Sequence, residues 1–254
     1  MSADTGPFAL MHYREFHAAE PLASHIECFW TIQPGGSRDF CAKRVFPDNC
    51  MDIYFIGAHP PMVAGPATTS YALGIPVGQA VFGLRLKPAA GAALLGSPAQ
   101  LLRDQHVPLE LVLPDVARRL AARVSCASSD RERRETLTDE LVHVIDRGAP
   151  LDRVVAEATR LIARAPSEAV LKTTSLALEV GERQLRRRFL QAIGYGPKRF
   201  MRIVRFQRLL GLIRSNRADR DWPRLALDAG YADQAHMIND VQSIAGVSPG
   251  NLGL

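Results

Sequence analysis

Two stretches near the C-terminal end repeat each other at a constant offset of 52 residues: Leu185 falls on Met237, Phe189 on Val241, Gly194 on Gly246, Pro197 on Pro249 and Phe200 on Leu252. In each copy an apolar pair at i, i+4 is followed by a helix-ending glycine. A proline then comes three residues later, and an apolar residue three after that. This pattern predicts two copies of a helix–turn–helix, in which a buried apolar pair fixes the second helix against the first. Between the copies, Pro197 suits the first position of a helix, and that helix should run to about Ser215. At ~1.5 Å per residue it is roughly 27 Å long. Two units joined by such a strut make a rigid pair.

The sequence around the repeat is helical from Leu151 onward. LDRVVAEATRLIARA places Leu151, Val154, Val155, Ala158, Leu161 and Ile162 at i, i+3, i+4 spacing. Further helices are expected over roughly 168–179 and 182–193, then in WPRLALDAG, ending at Gly230, and in DQAHMINDVQSIAG, ending at Gly246.

Charge separates this region from the rest of the chain. Residues 170–217 hold 12 Lys and Arg against Glu179 and Glu182, a net of +10. Residues 218–254 carry a net of −3 and residues 1–169 a net of −2, so one stretch supplies all of the chain's excess of +5. A basic stripe of this density is the usual footprint of nucleic-acid binding. Its densest part is GERQLRRRF at 181–189. A solvated helix face, with Arg stems covering apolar surface, could also hold such a run. Its place on the second helix of a repeated helix–turn–helix favours DNA. A strut of this length would set the two second helices about one DNA turn apart, ~34 Å, in successive major grooves.

The first ~90 residues read differently. HIECFWTIQP, RVFPDN, MDIYFIG, MVAG and SYALGIPVGQAVFGLRLKP are short aromatic and β-branched runs broken by Gly, Pro, Asn and Asp. They predict a small antiparallel barrel or sandwich. From Ala89 the texture becomes helical, and RERRETLTDELVHVIDR puts Leu137, Leu141, Val144 and Ile145 on one face. The helix over 131–147 could mediate dimerisation or pack on the barrel. RGAP at 147–150 marks the boundary. The expected fold is therefore α+β: residues 1–148 form a β-rich, barrel-like domain with C-terminal helices, and residues 151–254 form an all-α domain of two helix–turn–helix units joined by a long helix.

At 254 residues the chain has room for two such domains. No apolar run reaches the ~18 residues of a membrane span, and MSADTGPFALMHYREF is not a secretory signal. Cys28, Cys41, Cys50 and Cys126 lie far apart without a CxxC, which argues against zinc or a disulfide framework and suits the cytoplasm. His12, His17, His25, His59 and His106 form no metal-binding grouping. There is no Gly-rich phosphate loop, GxSxG or HExxH. No catalytic residue, cofactor or metal is expected, and the chain is not expected to be an enzyme.

RQLRRRF (183–189), GYGPKRF (194–200), LALDAGYADQAHM (225–237) and GVSP (246–249) together resemble the DNA-binding domain of the AraC/XylS transcription regulators. The resemblance covers about the last hundred residues, and the Ala–x–x–x–Gly–Tyr–x–Asp–Gln–x–His pattern is its most specific part. HIECFWTI, RVFPDNCMDIYF and GLRLKPAAGAALLG are similar to an uncharacterised N-terminal domain that accompanies such regulators. The resemblance implies that Arg183 and Arg187 read bases one turn apart, Arg being suited to bidentate bonding with guanine. Gln184 and Arg186 flank them, and Arg188 points further round, toward a structural or backbone contact. Lys198, Arg199 and Arg202 are expected at phosphates, and Arg205 inside the domain. In the second unit, Gln234, His236 and Asn239 stand on the corresponding face, His236 being a phosphate contact or a packing residue.

The chain departs from the family in two places. Glu179 and Gly181 stand where Gly in the turn and a Ser cap are usual. Met237, Asn239, Val241 and Gln242 replace an aromatic and a basic residue, and Asp233 and Asp240 should make that surface more acidic. The first unit should therefore dominate.

A β-rich domain ahead of such a unit suggests effector sensing. Phe29, Trp30, Phe46, Tyr54, Phe55 and Phe82 are candidate pocket residues, with Arg85 and Lys87 as anion holders; the aromatics could equally be core and the cations solvated. Double-stranded DNA is the expected partner, with RNA polymerase, a small-molecule effector and a second copy of the chain as further ones. Two other readings stand beside the regulator. One is an enzyme localised to DNA, with a Cys nucleophile of low pKa. The other is an adaptor with impaired DNA binding.

Overall fold

The computed structural model describes residues 11–18, 20–34, 40–76, 78–215 and 221–253. The segment MSADTGPFAL and Arg217, both used above, lie outside the described residues.

Among the described residues, eight strands belong to the N-terminal half: β1 (Met11–His17), β2 (Ile26–Pro34), β3 (Phe40–Val45), β4 (Met51–Ile56), β5 (Met62–Ala64), β6 (Tyr71–Pro76), β7 (Val81–Leu86) and β8 (His106–Pro108). Six make an antiparallel sheet in the order β1-β2-β7-β4-β5-β8, and β3 pairs with β6 in a second, two-stranded sheet. The β-rich, barrel-like N-terminal region takes this form. Because side chains alternate along a strand, each central strand presents two different faces. Phe29, Met51, Ile53, Phe55, Phe82, Leu84 and Leu86 point to one core, shared with the helices that follow. Cys28, Trp30, Ile32, Tyr54 and Val81 point to the other side, where Ile75 of β6 closes over them.

Helices α1 (Ala90–Leu95), α2 (Ala99–Leu102), α3 (Pro114–Cys126) and α4 (Asp130–Arg147) follow. Leu137 and Leu141 of α4 are fully buried, and Val144 and Ile145 pack on the same core, so α4 closes the first face of the sheet.

The C-terminal half contains α5 (Arg153–Arg164), α6 (Glu168–Ala177), α7 (Glu182–Ala192), α8 (Pro197–Ser215), α9 (Trp222–Ala229) and α10 (Gln234–Ala245). Asp152 caps α5, accepting from the backbone N–H groups of Val154 and Val155. The repeat is visible residue by residue. Leu185, Phe189, Met237 and Val241 are buried. Gly194 and Gly246 adopt left-handed φ values of 95° and 71°. Pro197 opens α8, and Pro249 opens a short 3-10 turn. The turns inside the two units also match. The N–H groups of Glu179 and Val180 bond the carbonyls of Leu176 and Ser175, and those of Gly230 and Tyr231 bond the carbonyls of Leu227 and Ala226.

The two halves are closely joined. Ser70 donates from its N–H to the carbonyl of Ile244 (2.7 Å) and from its hydroxyl to that of Ala245 (3.1 Å), at the end of α10. Gln207 of α8 donates to the carbonyl of Pro47 at 2.6 Å. Phe46 meets Phe206 edge-on, with ring centroids 5.5 Å apart. A side chain on Gly194 would strike Pro66 at 2.7 Å and the carbonyl of Ala99 at 3.1 Å. The turn after α7 therefore admits only glycine, for reasons of both φ and space.

Candidate nucleic-acid interface

Helix α7 buries Leu185, Phe189 and Ala192. With those positions facing inward, helical spacing turns Arg183, Gln184, Arg186 and Arg187 to solvent, and all four are exposed. Among the described residues, none of these three arginines has a carboxylate partner. Arg188 differs: its Nη1 lies 3.0 Å from the Asp152 carboxylate, so it ties α7 to the cap of α5.

The start of α8 adds Lys198, which is exposed, and Arg199, which is half-buried. Arg205 is buried and donates from Nε to the carbonyl of Pro166 at 2.8 Å, an internal role. Arg202 does not stand free as a phosphate contact would: its guanidinium lies 2.8 Å from Asp240. The expectation of an acidic second surface is corrected for Asp240 by the same pair. Asp240 is buried, whereas Asp233 stays exposed at the start of α10, accepting from the N–H of His236 at 2.7 Å, and leaves its carboxylate on that surface. His236 packs edge-on against Tyr231, with its Nε2 3.9 Å from Asp240. On the outward face of α10, Asn239 and Ala235 are exposed and Gln234 is half-exposed.

On the N-terminal half, Trp30, Phe46, Tyr54 and Arg85 line one cavity of about 410 Å³, together with Gln207, Leu210 and Arg214 of α8. Period-2 alternation explains the grouping: Trp30, Asp52, Tyr54 and Arg85 share the second face of the sheet. It also removes Phe29, Phe55 and Phe82 from the candidate pocket, since they belong to the opposite core. Lys87 is not among the lining residues. Arg85 is not a free anion holder either, lying 3.0 Å from Asp48, 3.4 Å from Asp52 and 3.6 Å from Glu15. Burial pushes the Asp52 carboxyl up to about 6, against the pull of Arg85 and of the Trp30 indole, which donates to it at 2.7 Å.

The lining cations without a carboxylate partner among the described residues are Lys43 and Arg214. Sequence reasoning missed both, because they lie far apart in the chain and in no motif. Burial, aided by nearby Arg85, lowers Lys43 to about 8, and its ammonium sits 3.8 Å from the centroid of the Tyr13 ring.

Cys28 and Cys50 are not poised for nucleophilic chemistry. Burial, with Asp48 beside it, raises Cys50 well above the ordinary thiol range, and burial pushes Cys28 up to about 12. Among the described residues, no three His, Cys, Asp or Glu side chains gather as a metal site, and no helix is long and apolar enough to cross a membrane.

Residues 175–253 match the helix-turn-helix domain family, over a span that contains both units and the strut between them. The C-terminal unit is an AraC-type helix-turn-helix domain. It is a DNA-binding domain of transcription regulators. Residues 14–108 match a domain of unknown function, DUF6597, so this helix-turn-helix domain follows an N-terminal partner whose role its family leaves open. A comparison with curated proteins finds no match. Among solved structures, the chain is similar to an apo variant of ToxT from Vibrio cholerae strain SCE256, at 11% identity and a TM-score of 0.46, over 85% of this chain and 97% of that one. It is similar to ToxT from Vibrio cholerae O395 at 9% identity and 0.46, over 85% and 98%. For unsaturated fatty acid bound wild-type ToxT the figures are 10% and 0.44, over 87% and 97%.

Proposed function

We propose that this chain is a sequence-specific, double-stranded-DNA-binding transcription regulator, with an effector-responsive domain over 1–148 and a DNA-binding domain over 151–254. The observation that carries the reading is the outward face of α7: Arg183, Gln184, Arg186 and Arg187 are exposed on one rigid helix, and no carboxylate neutralises them among the described residues. Unpaired arginines in a major groove can bond guanine O6 and N7, at about 1–3 kcal/mol of discrimination per good pair. The first unit dominates. In the second, Arg202 and His236 are turned toward Asp240, leaving Gln234 and Asn239 as its base-facing groups.

Effector control rests on the 410 Å³ cavity, whose walls come from the sheet and from the strut joining the two units. Lys43 and Arg214 face it from opposite halves, which suits an anionic molecule with an aromatic or apolar body. The raised thiols of Cys28 and Cys50 speak against either as the nucleophile of an enzyme carried to DNA, and the free arginines of α7 against an adaptor that has lost DNA binding.

Selection of bound duplexes from a random library, followed by affinity measurements across a salt series, tests the reading. A single preferred site, with binding weakened and base preference relaxed in Arg183→Ala or Arg187→Ala, supports it. Equal binding to all duplexes, unchanged by those substitutions, overturns it.

A further inference from the structure

A groove of about 820 Å³ runs past α7, lined by α6, by the start of α8 and by one residue of the N-terminal half, Arg103. The groove is strongly basic. Lys172, Arg183, Arg186, Lys198 and Arg199 line it with Arg103, against only Glu168 and Glu182. Both glutamates lie in the first turns of their helices, where the helix dipole already offsets negative charge. Among the described residues, Arg103 is the one of these six cations with a carboxylate within 4 Å, Asp104 at 4.0 Å. That carboxylate is already occupied, accepting from the N–H of Thr68 at 2.6 Å and from its hydroxyl.

Arg103 is held where a phosphate could reach it. It caps the end of α2, and its Nη1 donates to the carbonyl of Gly194 at 3.4 Å, in the turn between α7 and α8. The side-chain-free Gly194 lets Pro66 and Ala99 approach that turn closely, which brings α2 to the edge of the helix-turn-helix domain. The Arg103 side chain is 46% exposed, so its remaining donors face solvent.

We infer that Arg103 binds the DNA backbone, so that the duplex is gripped by both halves of the protein. The inference rests on the proposed reading of DNA by α7. A helix inserted in a major groove has phosphate backbones on either side, and a groove of unpaired cations beside that helix is the complement of such a backbone. With Arg103 in that groove, the docked arrangement of the two halves is the one that holds DNA. Anything that parts α2 from the α7–α8 turn then removes a phosphate contact.

The test uses the full chain and the duplex chosen by selection, with affinity measured against salt concentration. Each phosphate neutralised adds about 0.9 to the slope of log affinity against log salt. Arg103→Gln keeps a donor for Gly194 and removes the charge. It should reduce the slope by about 1 and weaken binding by a similar factor on the selected duplex and on its base-substituted versions. Arg103→Lys should retain the slope. A full wild-type slope in Arg103→Gln, whether or not affinity falls, overturns the inference and leaves Arg103 as a strut between domains. If Arg183→Ala relaxes base preference while Arg103→Gln keeps the full slope, only this inference fails. If the wild type shows no base preference at all, the reading of DNA by α7 fails instead.

Discussion

The Tyr195 hydroxyl donates to Oδ1 of Asn49 at 2.9 Å, and Nδ2 of the same asparagine donates to the carbonyl of Phe200 at 3.3 Å. Tyr195 lies in the turn between α7 and α8, and Asn49 in the PDN stretch before β4. One buried side chain thus fastens the N-terminal half to that turn and to the first turn of α8. Asn49 holds a φ of 69°, a region in which Asn is among the better-tolerated residues other than glycine. Tyr195→Phe keeps the ring but leaves the Asn49 oxygen buried without its donor. A loss of about 1–3 kcal/mol is expected, read as a lower urea midpoint at unchanged m-value.

Arg202 and Asp240 make a second such test, this time within the C-terminal half. Asp240 is 8% exposed at its side chain, and Arg202 is the cation that lies against it at 2.8 Å. Removing one partner of a buried pair strands the other, at about 3–5 kcal/mol. Because Arg202 is itself 31% exposed, the lower end of that range applies. Arg202→Ala should therefore lower the thermal midpoint, while the DNA salt slope of the folded protein stays at the wild-type value. A slope reduced by about 1 would instead make Arg202 a phosphate contact.

The turn of the first unit is built from less suitable residues than that of the second. Glu179 holds a φ of 53° where the residue that makes the same turn bond in the second unit, one position short of the 52-residue offset, is Gly230. Gly181 precedes α7 with no side-chain cap, where Asp233 caps α10. A left-handed conformation costs a side chain such as Glu roughly 1–2 kcal/mol relative to glycine, so Glu179→Gly should stabilise by about that amount, less the added entropy of the unfolded glycine. Gly181→Ser adds a cap worth only a few tenths. Chemical denaturation of both variants checks the order: the first should gain clearly and the second barely.

These local features are what a sequence shows best. The repeat is legible because a buried i, i+4 pair, a left-handed glycine and a helix-opening proline all act within one turn of chain. The irregular turn at Glu179 and Gly181 is located by the resemblance to the family, which usually has Gly and Ser there. Pairing across the chain is not legible in this way. Arg85 reads as a free cation until the fold brings Asp48, Asp52 and Glu15 to it, and Arg202 as a phosphate contact until α10 brings Asp240. The consecutive residues Phe29 and Trp30 both look like pocket material. Only the register, shifted between Ile26 and Cys28, decides that Trp30 faces the cavity and Phe29 the core. Lys43, Arg103 and Arg214 carry no motif, and only tertiary packing places them.

Gly83 shows how closely that second face is fitted. A Cβ there would lie 2.5 Å from the Trp30 ring, which passes over the strand to reach Asp52. Gly83→Ala should push the indole off its carboxylate partner. Overpacking of this kind costs about 1–3 kcal/mol. The expected result is a lower stability with altered tryptophan emission; unchanged emission would mean that the strand moves instead of the ring.

Lys43 gives the pH dependence. Burial lowers it from 10.5 to about 8 in the folded chain, while the unfolded chain keeps the ordinary value. Between those two values the unfolded state binds more protons, so this group makes stability rise with pH across that window. Below about 8 both states are protonated, and the full penalty of burying the charge is present. Relative to Lys43→Met, the wild type should therefore gain stability as the pH is raised from about 8 to about 10.5, measured as the difference in urea midpoints. The groups around Lys43 set the sign for a ligand too. Arg85 and Arg214 disfavour its charge, while Glu15 and Asp52 favour it. An anion entering the cavity would side with the carboxylates, pull the lysine back up and take up a proton. Its affinity should fall as the pH rises through about 8 and become flat in Lys43→Met. A difference in midpoints that does not change across the window would show that Lys43 keeps its charge and that the cavity already holds its counter-ion.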